Sequence, residues 1–120
     1  MIVYTYQLAH WRRLAKTGVP LVDTTVKTGE LRLAPSWDMV MGIKRGTITE
    51  AEYTRLYQAR LDHWWFQDPL FWDELLTHPV LAFGCYCRAG TFCHRHLLVE
   101  FLKRVTHVEY RGELTGEHDP

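Results

Sequence analysis

The segment Val80 to Cys87, with the sequence VLAFGCYC, is the feature that most constrains the fold of this chain. Its side chains are apolar on both faces instead of alternating with polar ones, which is the pattern of a strand buried on both sides in a parallel sheet. Such a sheet needs helices above and below it to exclude water. The segment therefore predicts an α/β fold in which it lies in the middle of the sheet.

Helix signals lie on both sides of this central segment. Thr49 and Glu52 form a capping box that predicts a helix to about residue 66, and Asp68 before Pro69 predicts a second helix to about residue 77. The other predicted helices cover residues 8–16, 36–44 and 93–105. Helices in these positions can cover both faces of the sheet.

Three further strands are predicted around the central one, over residues 1–6, 19–26 and 108–114, the last at a sheet edge. Strands therefore alternate with helices, which indicates a single Rossmann-like three-layer α/β domain with a mostly parallel sheet of about four strands. A chain of 120 residues has the length of one domain, so we expect it to span 1–120, with residues 115–120 as a frayed tail. Ligands bind such sheets at the carboxyl ends of the strands.

Charge and cysteine usage narrow the classes of function. Lys and Arg total 14, and so do Asp and Glu, so the formal net charge is zero and no surface for extended nucleic acid is indicated. No apolar stretch is long enough to span a membrane, and residues 1–7 lack the features of a signal peptide. Three cysteines within nine positions make a poor disulfide framework, so we expect a reducing compartment, the cytoplasm. The composition indicates no oligomeric state.

The block from Cys85 to His96 joins the central strand to the last helix and is the strongest candidate site. The first turn of that helix presents free N–H groups and the positive end of the helix dipole, and Arg88 and Arg95 add guanidinium groups that suit phosphate or carboxylate. A small anionic or nucleotide-like ligand is therefore expected here. The alternative is a solvated turn capped by Thr91.

A zinc site is one possibility, because Cys85, Cys87 and Cys93 lie close in sequence to His94 and His96. Cys85 and Cys87 are separated by one residue in a strand, which is not the usual spacing of a zinc knuckle. Histidines two residues apart on a helix diverge, so both cannot reach one ion. We therefore predict no metal and no cofactor.

Cys93 is the best candidate for a reactive thiol. It lies in the first turn of a helix between two arginines in the sequence, which favours the thiolate, so we expect Cys93 to be the most reactive of the three cysteines. Helical phase points His94 inward and His96 outward, which makes His94 the candidate acid or base. Free cysteines and inward histidines also occur as ordinary core residues, and for Cys85 core packing is the favoured interpretation.

The second strand also ends in polar residues. If it is parallel to the central strand, it brings Asp23 and Lys27 to the edge that carries the cysteine block, as a carboxylate for acid–base work or for ribose hydroxyls and an ammonium for phosphate. A turn fixed by Asp23, with Lys27 in solvent, is the alternative. We predict Cys93, His94 and Asp23 as catalytic residues. The predicted ligand-binding residues are Lys27, Ser36, Trp37, Cys87, Arg88, Gly90, Thr91 and Arg95.

Several of these segments resemble small bacterial and phage proteins related to the domain of unknown function 488 family. The resemblance rests on Asp-Thr-Thr-Val-Lys at residues 23–27, Ala-Pro-Ser-Trp at residues 34–37, the tyrosine-bearing helix and, above all, the cysteine block with Cys-His-Arg at residues 93–95. It covers about residues 19–105 and implies a compact Rossmann-like fold with no established reaction. The family's arginine-rich turn after the early strand is absent here, with Lys27 as its candidate replacement.

Two functions fit these observations best. The first is a small soluble enzyme that acts through a Cys93 thiolate on a phosphorylated or nucleotide-like small molecule at the carboxyl ends of the strands. The alternative is a non-catalytic module that binds or sequesters a nucleotide-like ligand. An enzyme needs a titratable group beside the reacting atom, whereas a binding module needs only shape and hydrogen-bond donors. A third option, a zinc-stabilised interaction domain, requires bound metal.

Overall fold

Four strands form one sheet in the computed structural model, which describes residues 1–88 and 90–116. The strands are β1 (Ile2–Gln7), β2 (Leu21–Asp23), β3 (Val80–Cys85) and β4 (Glu109–Glu113), in the order β2-β3-β1-β4. Every neighbouring pair is parallel. The predicted α/β fold is confirmed, and so is the central place of β3, which pairs with β1 on one side and β2 on the other.

The helical segment after β1 is less regular than predicted. Residues 8–16 were expected to form one helix, but the chain there makes a 3-10 turn, the short α1 (Trp11–Leu14) and a second 3-10 turn. Only Leu8 and Leu14 of this segment are buried. Two anchoring side chains give too narrow an apolar stripe to hold a longer helix against the sheet.

The later helices begin where their capping residues predicted. α2 (Trp37–Arg45) is capped by Ser36, and α3 (Glu50–Gln67) by the capping box of Thr49 and Glu52. α4 (Pro69–Leu75) is capped by Asp68, and α5 (His94–Val105) follows β3. Local side-chain hydrogen bonds to free backbone N–H groups thus fix three of these starts.

The helices cover the two faces of the sheet unequally. The face with Tyr4, Tyr6 and Ala82 packs against Leu8 and Leu14 and forms the smaller core. The opposite face packs against helices α2 to α5 and forms the larger core, whose buried members include Val3, Tyr57, Leu61, Trp72, Leu81, Phe83, Leu98 and Leu102. The predicted three-layer architecture is therefore confirmed.

All four strands end at the same edge of the sheet because they are parallel. Their last residues are Gln7, Asp23, Cys85 and Glu113. After β1 the chain turns towards the α1 face, whereas after the neighbouring β3 it turns towards the α5 face. In open parallel sheets, ligand-binding crevices form at such a point. The edge between β1 and β3 thus positions the candidate site.

Two strands end earlier than predicted. β2 stops at Asp23, short of Val26, because the Asp23 carboxylate accepts hydrogen bonds from the Thr25 N–H and the Thr28 hydroxyl and closes a turn. β3 stops at Cys85, where its pairing with β1 ends, and Cys87 is exposed beyond it. Residues 117–120 of the predicted frayed tail lie outside the described residues. None of the described helices is both long and apolar enough to cross a membrane.

Candidate active site

Two cysteine side chains meet at the carboxyl edge. Cys85 is the last residue of β3 and Cys93 immediately precedes α5, and both are buried. Their sulfurs are in direct contact, while their Cα atoms lie 7.9 Å apart. The two sulfurs are close enough to count as bonded, but disulfides usually join Cα atoms about 4.4–6.8 Å apart, so the wider spacing favours the reduced form with two neighbouring thiols. Sequence reasoning favoured Cys85 as a core residue and did not anticipate this pairing.

Arg95 holds the sulfur of Cys85. Its guanidinium is fully buried and donates hydrogen bonds to the Cys85 sulfur at 2.8 Å and to the Cys87 carbonyl at 2.9 Å. A second nitrogen of the guanidinium forms an ion pair with Glu113 of β4 at 2.8 Å. A charged donor this close stabilises negative charge on the sulfur pair. Arg95 was predicted to bind the ligand, but in the structure its guanidinium binds these protein groups instead.

His94 contacts Cys93 from the other side. The imidazole Nε2 lies 2.8 Å from the carbonyl oxygen of Thr24, and Nδ1 lies 3.7 Å from the Cys93 sulfur. A carbonyl oxygen only accepts hydrogen bonds, so the hydrogen-bond network assigns the proton of the neutral ring to Nε2. The lone pair on Nδ1 then faces the Cys93 thiol. The structure thus places the predicted thiol, Cys93, and the predicted base, His94, in contact.

Burial keeps the imidazole of His94 neutral. Its pKa is lowered from 6.5 to about 4, mainly by desolvation and also by the neighbouring Arg95 charge, against the opposing effect of the Thr24 hydrogen bond. A neutral imidazole is the form that accepts a proton from a thiol. At neutral pH the side chain is therefore in the protonation state of a general base.

Thr24 orients His94 and was not predicted as a site residue. Its hydroxyl donates to the carbonyl of Gly84 at 2.9 Å and also lies 2.9 Å from His94 Nε2. The ring of Tyr57 contacts the imidazole edge-on, with the two ring centres 5.5 Å apart. Thr24 belongs to the polar end of β2 that the sequence had singled out, but only the fold shows that it, rather than Asp23, reaches the histidine.

Tyr53 of α3 packs against the loop that joins β3 to α5. Burial raises the pKa of the Tyr53 hydroxyl, and negative charge at Cys87 raises it further. The Tyr53 ring packs edge-on against Phe92 at 5.4 Å. Its hydroxyl has no hydrogen-bond partner among the described residues. This hydroxyl is not fully enclosed and is free to donate to a bound molecule, and Cys87 provides an exposed thiol on the loop after β3.

The remaining predicted residues are spread more widely. Asp23 closes its turn and makes no hydrogen bond to His94, and Ser36 caps α2. Trp37, Lys27 and Arg88 are exposed. Thr91 donates to the Arg88 carbonyl at 2.6 Å, and Gly90 has a positive φ of 80°. His96, expected to face outward, is partly buried, and its Nε2 has no partner among the described residues.

One group of described side chains could hold a metal ion. The ligand atoms of Cys85, Cys93 and His94 lie within 4.8 Å of one another. The Arg95 guanidinium, however, is 2.8 Å from the Cys85 sulfur, and its fixed positive charge repels a cation at that position. The arrangement therefore favours thiol chemistry over metal binding.

Comparison with known families gives one match. A family model described as DUF488-N3a, the active DUF488-N3 subclade, matches residues 9–106, which is most of the chain. No curated protein and no solved structure matches. The matched region contains β2, β3 and α5, and with them every residue of the Cys–His–Arg cluster.

Proposed function

Because this chain belongs to the DUF488 family and its matched subclade is described as active, we propose that it is a thiol-dependent enzyme. Its substrate is a phosphorylated or nucleotide-like small molecule that binds at the carboxyl edge of the sheet. The observation that carries the proposal is a buried row of four groups, Arg95, Cys85, Cys93 and His94, each in contact with the next.

The row has a direction that favours a thiolate at Cys93. The Arg95 guanidinium donates to the Cys85 sulfur, which is in direct contact with the Cys93 sulfur. On the other side, His94 Nδ1 accepts the Cys93 proton, and the Nε2–H remains bonded to Thr24. A positive charge at one end of the row and a proton acceptor at the other both favour loss of the Cys93 proton.

The thiolate then acts as a nucleophile. The Cys93 sulfur forms a bond to the electrophilic atom of the substrate, and the leaving group departs with the proton held by His94. Water displaces the thiol in a second step, in which His94 accepts a proton from the water and returns it to the sulfur. Cys85 and Arg95 do not touch the substrate in this scheme and serve as positioning residues.

The surroundings of the thiols favour an anionic substrate with polar groups. The first turn of α5 presents its free N–H groups, and the exposed Arg88 adds a positive charge on the preceding loop. Tyr53 offers the unpartnered hydroxyl described above. Lys27, at the end of the β2 turn, is the second exposed cation proposed to contact the ligand.

Burial of both thiols supports a second candidate, a module that binds a nucleotide-like ligand without turnover. Thiol reactivity separates the two candidates. In a Cys87→Ser background, which removes the exposed thiol, iodoacetamide at neutral pH is expected to alkylate Cys93 faster than Cys85, as read by peptide mass mapping. His94→Gln should slow this reaction at least about tenfold by removing the base.

His96→Gln is the matched control, since His96 lies on the same helix but its Nε2 makes no hydrogen bond among the described residues, and the variant should react at about the wild-type rate. Equal rates for Cys85 and Cys93, or a His94→Gln rate equal to the wild-type rate, would contradict the enzyme proposal. A panel of nucleoside monophosphates and phosphate esters, followed by mass spectrometry, then tests for turnover that Cys93→Ser abolishes.

A further inference from the structure

A second feature of the carboxyl edge lies on the opposite face of the sheet from the thiols. Here a cavity of about 360 Å³ is lined by Tyr6, Leu8, Trp11, Leu21, Asp23, Thr28 and Tyr86. We propose that this cavity binds a planar nitrogen heterocycle that presents N–H donors, a nucleobase of the guanine type. The inference goes beyond the proposed function, because ring binding here needs no thiol.

The strand register explains why the cavity exists. Tyr6 of β1 and Asp23 of β2 both pair with Gly84 of β3, and all three face the α1 side. The Tyr6 ring lies directly over Gly84, where a Cβ atom would overlap it. The missing side chain lets the ring extend across β3 towards Asp23. The result is a flat aromatic floor with a carboxylate at its end.

Two polar groups in the cavity have unused hydrogen-bonding capacity. Tyr6 is 1% exposed as a residue, and its hydroxyl, which is not fully enclosed, makes no hydrogen bond among the described residues. The Asp23 carboxylate accepts bonds from the Thr25 N–H and the Thr28 hydroxyl, which use two of its roughly four lone-pair sites. Both groups line the cavity and can accept hydrogen bonds there, so the cavity suits a ligand that supplies donors.

The open side of the cavity carries two exposed aromatic rings. Trp11 is 49% exposed and Tyr86 is 66% exposed, although both line the cavity. Exposed aromatic rings beside a polar cavity suit stacking of a base, which typically changes affinity by about 5- to 150-fold per ring. Leu8 and Leu21 make the rest of the wall apolar. The aromatic rings can therefore stack on the faces of a planar ligand while the polar groups form hydrogen bonds with its edge.

The carboxylate selects among bases by their edges. Guanine presents two adjacent N–H groups, which match the two oxygens of Asp23. Uracil presents one N–H between two carbonyl oxygens, and the carboxylate repels both. A site that uses its polar groups for one partner discriminates strongly against a partner that leaves them unpaired. Guanosine is therefore expected to bind at least about tenfold more tightly than uridine.

Isothermal titration calorimetry of the full chain with guanosine and with uridine tests the site. Trp11→Ala and Tyr86→Ala should each weaken guanosine binding about tenfold, and Asp23→Asn should remove the preference for guanosine over uridine. Phe66→Ala and Asp62→Asn are the matched controls, an exposed aromatic and an exposed carboxylate on α3, and both should bind as the wild type does.

Several results overturn the inference: no guanosine binding at millimolar concentration, equal affinity for uridine, or an equal loss in Phe66→Ala. Asp23 also closes the turn after β2, so if Asp23→Asn does not fold, the variants of exposed Trp11 and Tyr86 decide the question. The titration measures binding alone. A negative titration leaves the alkylation result for Cys93 standing, and a negative alkylation result leaves the titration standing.

Discussion

The buried neutral imidazole of His94 should make stability depend on pH. In the folded chain its pKa is about 4, against 6.5 for an unburied histidine, with burial as the main cause. As pH falls below 6.5, the unfolded chain binds a proton that the folded chain excludes, so the free energy of unfolding falls until about pH 4. Above about pH 7.5 the imidazole is neutral in both states and contributes no slope.

The size of this effect follows from the two pKa values. Proton linkage between them amounts to about 2 kcal/mol of unfolding free energy lost between about pH 7.5 and about pH 5. That is a large part of the stability of a small domain, which is commonly about 5–15 kcal/mol. Carboxylates contribute their own pH dependence below about pH 5, so the informative quantity is the difference between wild type and a His94 variant.

Urea unfolding followed by circular dichroism at a series of pH values measures this difference. His94→Gln retains a donor for the Thr24 carbonyl but cannot titrate, so its unfolding free energy should change with pH about 2 kcal/mol less than that of the wild type. Burial also lowers the pKa of His96, but less completely because His96 is only partly buried, so the control His96→Gln should keep most of the wild-type slope. A His94→Gln slope equal to the wild-type slope would refute the buried neutral imidazole.

Two other perturbations test the edge of the sheet and the metal argument. Gly84→Ala should lower the free energy of unfolding in urea by about 1–3 kcal/mol, because the added Cβ overlaps the Tyr6 ring. Gly42→Ala is the control and should lower it less, because its Cβ meets the flexible Ile48 side chain. Equal losses in the two variants would contradict the tight packing of Tyr6 over Gly84. Elemental analysis of protein purified without chelator should find well below one zinc per chain, and adding a chelator should not unfold the protein. Stoichiometric zinc whose removal unfolds the chain would contradict the argument that the Arg95 charge disfavours a metal ion beside Cys85.

Much of the fold was predictable because its signals are local. The starts of α2, α3 and α4 were found from Ser36, Thr49 and Asp68, whose side chains bond backbone groups three residues away. The apolar run of β3 predicted a central parallel strand for a similar reason, since a strand buried on both faces needs apolar side chains at almost every position. The end of β2 was not predictable, because the turn that stops it depends on which partners Asp23 finds.

The candidate site was predicted only in part. Cys93 and His94 are neighbours in sequence, and helical phase sufficed to put them together. Arg95 was predicted to face a ligand, but its partners Cys85 and Glu113 come from two different strands, and no sequence pattern links them. Thr24 was hidden for the same reason, since its contact with His94 spans 70 residues of sequence.

The sequence by itself determined the element types and the edge at which chemistry collects, because capping, periodicity and strand burial are properties of neighbouring residues. Tertiary structure decided which side chains share an environment. The strand order β2-β3-β1-β4 places Thr24 beside His94, and the register over Gly84 places Tyr6 beside Asp23. Both contacts depend on how distant strands align, and a one-residue shift in that alignment would turn these side chains to the other face.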